Sequence, residues 1–366
     1  CCNSLICGYA KHKDGEEALV LYQQMLHQQF NSSFQPSTNT FVALLKVCAQ
    51  TQDIGMGCKI HEDIVRKMGS VYDRDPFMGS ALVGMYAKCG SLHKAEEVFD
   101  LLEVRNVVAW NSLISGYVGS GDNEKVLSFF YEMQYQGISP DVVTFICTLK
   151  ACGKLGSLLK GEELHAEIVK KGFLDKELVG KTLVEMYVKC GSLAEAQEVF
   201  ERLPLRDIVS WTSLITGYAQ LGDCRSVCHT FDRMIMDGVV PNLITFFSVL
   251  NVCSHSGLID TGESYFEDMV RNYNILPTLE HYTCMIDLYS RAGQIDNAMA
   301  MTNKMPFSPD LAVWHIILGA CQKWGNLEVG TLAFEYAVQL REEDQIAYIC
   351  LSNIYAFANV REFQKS

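Results

Sequence analysis

Apolar residues recur along this chain with the spacing expected for pairs of amphipathic helices. Within residues 107–141, one helix face is predicted from four apolar residues spaced i, i+3, i+4 and i+7: Trp110, Leu113, Ile114 and Tyr117. Residues 119–121 predict a break after this helix, since Gly and Ser there disfavour its continuation. A second helix is predicted from Val126, Phe130 and Met133, and Gly137 and Pro140 mark its end.

The same pattern returns 101 residues later. MYAKCGSL at 85–92 recurs as MYVKCGSL at 186–193, and VVAWNSLISGY at 107–117 recurs as IVSWTSLITGY at 208–218. Three units fill each 101-residue period. Each unit therefore has the length of one helix–turn–helix hairpin. A single hairpin cannot bury its own apolar face, whereas stacked neighbours can. We therefore expect an all-α fold, an α-solenoid right-handed superhelix of roughly ten helix–turn–helix repeats.

Unit boundaries follow from the same register. The predicted units are 1–37, 38–75, 76–106, 107–141, 142–176, 177–207, 208–242, 243–278, 279–310, 311–344 and 345–366. The first unit carries extra residues near 30–34, which we expect to form a loop. No linker rich in Pro, Ser or Gly divides the array, and no strand pattern competes with the helices.

Composition narrows the possible functions. The chain has 366 residues, 49% of them hydrophobic, and a formal net charge of -13, so it has ample material for a core. The acidity argues against bulk electrostatic binding to DNA or to an anionic membrane, but it does not exclude a local basic stripe. No apolar run is long enough to predict a transmembrane helix. Because the sequence begins at Cys1, we expect a fragment whose targeting segment lies outside it.

The cysteine pattern and the lack of a complete catalytic motif favour a protein without a metal site, a cofactor or catalytic residues. Six of the 15 cysteines recur in register, which favours reduced thiols packed between helices: Cys48, Cys89, Cys152, Cys190, Cys253 and Cys321. Cys224 and Cys228 lack the companions of a zinc site. His165 and Glu167 match half of a zinc deaminase signature, but the P-C-x-x-C half is missing. His61 occupies the equivalent repeat position, so we interpret His165 as a repeat residue.

Several segments together resemble one known family. They are ALVGMYAKCGSLHKAEEVFD (81–100), VVAWNSLISGY (107–117), HYTCMIDLYSRAG (281–293), MPFSPDLAVWHIILGAC (305–321) and LSNIYA (351–356). The chain resembles plant pentatricopeptide repeat proteins, specifically the class with alternating P, L and S repeats, over essentially its whole length. The last three segments are similar to the end of the repeat tract and an E-type extension. The resemblance implies about nine repeats at 1–310 and a truncated extension of degenerate helical repeats at 311–366.

The resemblance implies binding of single-stranded organellar RNA, with one base per repeat. The fifth and last residues of a repeat would contact the base edge, and the second residue would lie against base faces. The implied fifth-and-last pairs are Asn3 with Ser37, Ser80 with Asn106, Asn111 with Asp141, Lys181 with Asp207, Thr212 with Asn242, and Thr283 with Asp310. The implied second residues are Phe77, Val108, Leu178 and Val209. Alternatively, the polar residues at these positions are only solvated helix residues. Their regular recurrence argues against that alternative.

The family's code then implies a target. It assigns cytosine to the first pair, adenine to Ser80 with Asn106 and Thr212 with Asn242, uracil to Asn111 with Asp141, and guanine to Thr283 with Asp310. Lys181 with Asp207 departs from the code. The fifth residues of the L-type repeats cannot hydrogen-bond a base edge: Val42, Ile146 and Phe247. From the 5′ end, the implied order is C, any, A, U, any, any, A, any, G, followed by three unread bases and an edited cytidine.

Three functions remain open at this point. The resemblance favours a site-recognition factor for organellar C-to-U RNA editing, located in a mitochondrion or chloroplast, with no membrane partner. Its tail at 311–366 would recruit a deaminase-bearing or other editing-complex protein. Fold physics alone equally allows a tetratricopeptide-like scaffold for protein–protein interaction. The third function is that of a protein with its own deaminase domain downstream of Ser366.

Overall fold

The computed structural model describes residues 2–11, 15–27, 35–69 and 74–363, and it is helical throughout. These ranges hold 21 helices and no strand, which confirms the predicted all-α class. The loop predicted near residues 30–34 lies outside the described residues. No helix among those described is both long and apolar enough to cross a bilayer.

The chain divides into two compact units, residues 1–192 and 193–366. The first unit holds α1 (Cys2–Lys11), α2 (Gly15–His27), α3 (Thr38–Thr51), α4 (Ile54–Met68), α5 (Pro76–Lys88), α6 (Leu92–Leu101), α7 (Val107–Ser120), α8 (Asn123–Tyr135), α9 (Val142–Leu155), α10 (Leu158–Lys170) and α11 (Glu177–Lys189). The second holds α12 (Leu193–Glu201), α13 (Ile208–Gln220), α14 (Cys224–Met236), α15 (Leu243–Ser256), α16 (Ile259–Arg271), α17 (Leu279–Arg291), α18 (Ile295–Lys304), α19 (Leu311–Trp324), α20 (Leu327–Leu340) and α21 (Gln345–Phe363). From residue 38 onward, the first helix of every predicted repeat begins at that repeat's first residue.

The ends of α7 illustrate how local sequence defines a repeat. Asn106 precedes the helix, and its side chain accepts a hydrogen bond from the backbone N–H of Ala109 at 2.9 Å. The expected break at residues 119–121 is wrong in part, because α7 continues through Gly119 and Ser120. The helix ends at Gly121, whose φ of 84° is a conformation that glycine adopts without strain. A single glycine inside a helix costs only about 1 kcal/mol, so Gly119 alone does not end it.

Two tryptophans fill equivalent places in the cores of the two units. In the first unit, Trp110 is fully buried and meets Phe99 edge to face, with ring centroids 4.6 Å apart. In the second unit, Trp211 is fully buried and meets Phe200 in the same way, also at 4.6 Å. This edge-to-face arrangement is favoured by the quadrupoles of the aromatic rings. The prediction that both tryptophans are buried at equivalent positions is confirmed.

Close packing between consecutive repeats requires glycine at one position of the second helix. A β-carbon on Gly57 would lie 2.4 Å from the sulfur of Met85 in the following repeat. A β-carbon on Gly161 would lie 2.4 Å from the sulfur of Met186. Both methionines are buried, so neither could move aside without disturbing the core. Glycine therefore lets the second helix approach the next hairpin.

The recurring cysteines divide into two groups. Cys48, Cys152, Cys253 and Cys321 are fully buried, and burial raises the pKa of each thiol to about 12. These four match the predicted packing role. Cys89 and Cys190 are only half-buried, because each follows the last residue of its helix and reaches the turn. The described residues contain no cluster of three or more potential metal ligands.

Candidate nucleic-acid interface

The last residue of a repeat caps the first helix of the next repeat. A side-chain oxygen accepts a hydrogen bond from the backbone N–H three residues later, at 2.9 to 3.3 Å, in six predicted site residues: Ser37, Asn106, Asp141, Asp207, Asn242 and Asp310. Ser, Asn and Asp are the preferred residues at such a position, and each cap stabilises its helix by about 1 kcal/mol. The cap therefore fixes the position of each of these side chains at the start of a helix.

At these helix starts, the two residues of three predicted pairs come together. The amide nitrogen Nδ2 of Asn111 donates to Oδ1 of Asp141 at 2.9 Å. The hydroxyl of Ser80 lies 2.8 Å from Oδ1 of Asn106 and also 2.5 Å from the carbonyl of Pro76, one turn earlier. Thr212 and Asn242 are joined through a third side chain, the hydroxyl of Thr245, which lies 2.9 Å from each.

The remaining predicted fifth residues make other contacts. Nδ2 of Asn3 donates to the backbone carbonyl of Gln35 at 3.2 Å. The hydroxyl of Thr283 donates to the carbonyl of Leu279, one turn earlier on α17, at 2.8 Å. Lys181 forms an ion pair with Glu177 on the same helix. Asn3 thus reaches the segment that precedes α3, whereas the contacts named for Thr283 and Lys181 lie within their own helices.

The predicted second residues are exposed apolar side chains. Their exposed fractions lie between 55% and 75%: Phe77, Val108, Leu178 and Val209. Val143 and Ile244, which the sequence prediction did not include, occupy the second positions of repeats 142–176 and 243–278 and are also exposed. The repeat position itself is the sequence signal that would have found them.

Surface cavities lie beside these side chains within each unit. In the first unit, a cavity of about 790 Å³ is lined by Val108, Asn111, Asp141 and Val143, among others. A neighbouring cavity of about 350 Å³ is lined by Phe77, Ser80, Asn106 and Val108. In the second unit, a cavity of about 460 Å³ is lined by Phe247, Thr283 and Asp310. Each cavity thus combines apolar side chains with the polar residues of a predicted pair, as small-ligand sites commonly do.

Basic side chains line the same cavities although the chain is acidic. Lys88 lines both cavities of the first unit, and Lys46 lines the smaller one. His255 and Arg291 line the cavity of the second unit, where Arg291 also forms an ion pair with Asp287 at 2.6 Å. Sequence reasoning missed these residues. For Lys88, His255 and Arg291, the signal is a basic residue eight positions after the fifth residue of the repeat, a spacing that recurs at Lys154, Lys189 and Lys323.

The two histidines of the half signature occupy equivalent structural places. Nδ1 of His165 lies 2.9 Å from the hydroxyl of Tyr187, and Nδ1 of His61 lies 2.9 Å from the hydroxyl of Tyr86. Each histidine lies on the second helix of its repeat, and each tyrosine lies on the first helix of the next. The contact joins consecutive repeats, which supports our interpretation of His165 as a repeat residue.

Two residues of the segment 311–366, Trp324 and His315, make structural contacts. The indole N–H of Trp324 donates to the carbonyl of Ser290 at 3.0 Å, which joins α19 to α17. Nε2 of His315 bonds to Oδ2 of Asp344, and these are the fifth and last residues of the unit 311–344. Burial would raise the pKa of the Asp344 carboxyl, but the bond and charge of His315 lower it below its ordinary value.

Paired helices stacked in register define this chain as a helical-repeat protein. Family models described as "PPR repeat", "PPR repeat family" and "Pentatricopeptide repeat domain" together match more than half of it. The matched residues are 1–30, 80–107, 143–173, 181–208, 244–273 and 280–308 for the first model, 105–154 for the second and 206–256 for the third. The chain therefore belongs to the pentatricopeptide repeat family.

Curated relatives from Arabidopsis thaliana carry the same family name. One pentatricopeptide repeat-containing protein is 35% identical over 99% of this chain and 49% of its own length. A second, named as mitochondrial, is 35% identical over 98% of this chain and 41% of its own. A third, named as chloroplastic/mitochondrial, is 38% identical over 94% of this chain and 55% of its own. The chain thus spans about half the length of these relatives.

Solved structures of the maize pentatricopeptide repeat protein PPR10 share this fold. The crystal structure of PPR10 superposes over 100% of this chain and 57% of its own, with a TM-score of 0.71 and 17% sequence identity. PPR10 in complex with an 18-nt psaJ RNA element covers 98% of this chain and 58% of its own, with a TM-score of 0.69 and 19% identity. The predicted solenoid of paired helices is confirmed by this likeness.

Proposed function

We propose that this chain binds single-stranded RNA through the first helices of its repeats, with one base per repeat. The observation that carries the proposal is the cavity of Asn111 and Asp141. There a hydrogen-bonded polar pair lies between the exposed second residues of two consecutive repeats, Val108 and Val143. A base placed between the two valines would have apolar contacts on its faces and polar atoms at its edge. Base-face contacts with aromatic side chains contribute about 1–3 kcal/mol each, and valine offers less surface.

The basic residues supply the second part of such an interface. A backbone phosphate needs a cation beside the base cavity, and Lys88 lines both cavities of the first unit. This local charge reconciles RNA binding with the net charge of -13, because only the residues near the strand interact strongly at physiological salt. Family membership adds support, and so does the solved complex of PPR10 with an 18-nt psaJ RNA element, since that relative binds RNA.

Within the family, we infer a member with alternating P, L and S repeats and an E-type extension at 311–366. The inferred function is site recognition for C-to-U RNA editing in a mitochondrion or chloroplast. The segments 305–321 and 351–356 support the extension, and the relatives named as mitochondrial or chloroplastic/mitochondrial support an organelle. The inferred target is a single strand containing 5′-CNAUNNANG-3′.

Selection from a random RNA library with the purified chain tests the proposal. We expect enrichment of strands that contain the inferred target, with U opposite repeat 107–141 and A opposite repeat 76–106. A tetratricopeptide-like scaffold would enrich no sequence at 0.15 M salt. Such a result would overturn RNA recognition as the function. Enrichment of an unrelated sequence would retain RNA binding and overturn the assigned code.

The tail needs a test that leaves its packing intact. Trp314, Ile317 and Leu318 of α19 share a hydrophobic core with Leu288 and Tyr289 of α17, so deleting 311–366 would uncover the last repeat. Ile346 and Ile349 on α21 are more than half exposed and lie on one face of the helix. Their replacement by Ser should therefore disturb the fold little.

We expect the double variant Ile346→Ser/Ile349→Ser to keep its RNA affinity and to lose editing when the full-length protein carries it. The reason is that an exposed apolar face would be the contact for a deaminase-bearing partner. Leu159→Ser, at a still more exposed position on α10, is the control and should edit normally. Normal editing by the double variant would show that this face recruits no such partner. It would leave open a deaminase domain within the full-length protein itself.

A further inference from the structure

A buried threonine lies behind two of the predicted base-contacting pairs. It is the third residue of the repeat that follows the pair: Thr144 behind Asn111 and Asp141, and Thr245 behind Thr212 and Asn242. Both threonines have no exposed surface, and 101 residues separate them. Each hydroxyl touches both members of its pair, so its single proton affects the hydrogen bonding of the whole group.

In repeat 107–141, the hydrogen positions follow from chemistry. The carboxylate of Asp141 only accepts hydrogen bonds, so the atom of Asn111 facing it at 2.9 Å is the Nδ2 donor. Oδ1 of Asn111 then faces the hydroxyl of Thr144 at 2.6 Å. Oδ1 of Asp141 lies 3.0 Å from the same hydroxyl and is a second acceptor. Because neither oxygen has a proton, the hydroxyl is the donor, and its proton goes to the nearer acceptor, Asn111. That hydroxyl in turn accepts the backbone N–H of Asp141 at 3.2 Å.

In repeat 208–242, the third-position hydroxyl instead accepts a hydrogen bond from the fifth residue. Oδ1 of Asn242 accepts the backbone N–H of Thr245 at 2.9 Å, and it also lies 2.9 Å from the Thr245 hydroxyl. Because Oδ1 only accepts, the Thr245 hydroxyl donates to it. The hydroxyl of Thr212, 2.9 Å from that of Thr245, must then donate inward to Thr245.

We propose that the buried third-position threonine sets which atoms of the preceding pair donate and which accept toward the base. In repeat 107–141, the second hydrogen of Asn111 Nδ2 remains as a donor and Oδ2 of Asp141 as an acceptor. This combination complements the O4 acceptor and N3–H donor of uracil. In repeat 208–242, the oxygen of Thr212 remains as an acceptor and Nδ2 of Asn242 as a donor, which complements the N6 amine and N1 of adenine. Thr144 and Thr245 are thus positioning residues that determine specificity without touching RNA.

The array contains a natural comparison. The pair Ser80 and Asn106 is followed by Ala109, which has no hydroxyl. The Ser80 hydroxyl lies 2.8 Å from Oδ1 of Asn106 and 2.5 Å from the carbonyl of Pro76. This pair is therefore not under the control of a third-position hydroxyl. Its base preference should stay constant when Thr144 is changed, and it provides an internal reference within the same RNA.

The proposal rests on the proposed RNA binding and is tested by base preference. Thr144→Val keeps the shape and the backbone N–H that Asp141 caps, but it removes the hydroxyl. Oδ1 of the mostly buried Asn111 then loses its donor, so only the bond from Nδ2 to Asp141 still holds the amide in place. We expect the preference for U over the other bases opposite repeat 107–141 to fall roughly threefold to tenfold, the range of one neutral hydrogen bond. Preference opposite repeat 76–106 should not change.

Two further variants separate specificity from stability. Thr144→Ser retains the hydroxyl and should restore the preference for U. Thr148→Val removes another fully buried hydroxyl from α9, one that bonds only to the helix backbone at 3.0 and 3.1 Å, and should leave the preference unchanged. The measurement is competition binding of four RNAs that differ at the single base.

The outcomes are distinguishable. If the wild-type chain prefers U and Thr144→Val prefers U equally, the positioning role is wrong. The same conclusion follows if Thr148→Val loses the preference as strongly as Thr144→Val. If the wild-type chain discriminates no base at any repeat, the proposed RNA recognition itself fails, and the positioning role fails with it.

Discussion

Repeats 107–141 and 208–242 share one scaffold and differ in the pair at its edge. Both bury a tryptophan against a phenylalanine at 4.6 Å, through Trp110 and Trp211. Both expose a valine at the second position, Val108 and Val209. The pair is Asn111 with Asp141 in the first repeat, whereas Thr212 with Asn242 are joined through Thr245 in the second. The fold thus holds its packing constant while the polar groups at the cavity change.

This difference indicates that stability and specificity reside in separate side chains of the same helix. The tryptophan precedes the fifth residue by one position, yet its ring lies in the core while the polar side chain lies beside the cap of the next helix. Substitution of the tryptophan should therefore affect stability, and substitution of the fifth residue should affect base preference. Three experiments test this, in order of decreasing effect.

The largest expected effect is on stability. Trp110→Ala and Trp211→Ala should each lower the free energy of unfolding by about 3–5 kcal/mol, because each removes a fully buried ring from a packed core. Denaturant unfolding followed by circular dichroism measures the loss. Equal losses would support equivalent scaffolds, and a loss in only one repeat would contradict them.

Phenylalanine provides the control for this prediction. Among the described residues, the indole N–H groups of Trp110 and Trp211 are buried and have no hydrogen-bond partner. A buried donor without a partner costs about 1–3 kcal/mol, which Trp→Phe recovers while losing part of the ring volume. We therefore expect Trp110→Phe and Trp211→Phe to be much milder than the alanine variants.

The next effect is on base preference. By the family's code, Asn111→Thr beside Asp141 should change the preferred base opposite repeat 107–141 from U to G. Adding Asp141→Asn would recreate the pair of repeat 208–242 and should change the preference to A. Competition binding should show a discrimination of about 1–3 kcal/mol, by analogy with base-edge contacts in DNA.

Thermal unfolding of the same variants is the companion measurement. Asp and Asn are both good helix caps, and Thr with Asn already occupies these two positions in repeat 208–242, so the double substitution should lower stability far less than Trp110→Ala. A clear fall in the melting temperature, with weaker binding to all four RNAs alike, would identify Asn111 as a packing residue. An unchanged preference for U would contradict the code assigned to this repeat.

The smallest effect concerns a residue that serves neither packing nor base discrimination. Lys88→Gln should weaken binding of every RNA by a similar small factor and reduce the slope of log affinity against log salt by about 0.7, the value for one phosphate contact on a single strand. Lys94→Gln, on the second helix of the same repeat, is the matched control and should leave the slope unchanged. A slope that does not respond to Lys88→Gln would exclude a phosphate contact there.

The sequence by itself predicted the parts of this protein that depend on local periodicity. Apolar spacing and the 101-residue recurrence predicted the helical hairpins, the first residue of each repeat from 38 onward, and the buried Trp110 and Trp211. These features follow from helix geometry, since residues three and four apart share a face and glycine permits a positive φ at a helix end. The half signature at His165 was also correctly interpreted from its repeat position.

Contacts between repeats were decided only by the tertiary structure. The sequence gives no sign that Thr144, one turn into the next helix, donates to Asn111 at 2.6 Å, because that distance depends on how two hairpins stack. The same holds for Lys88 at the Asn111 cavity and for Trp324 bonded to Ser290. Periodicity determines which face of a helix is buried, whereas the spacing between stacked helices determines which polar atoms come within hydrogen-bond distance.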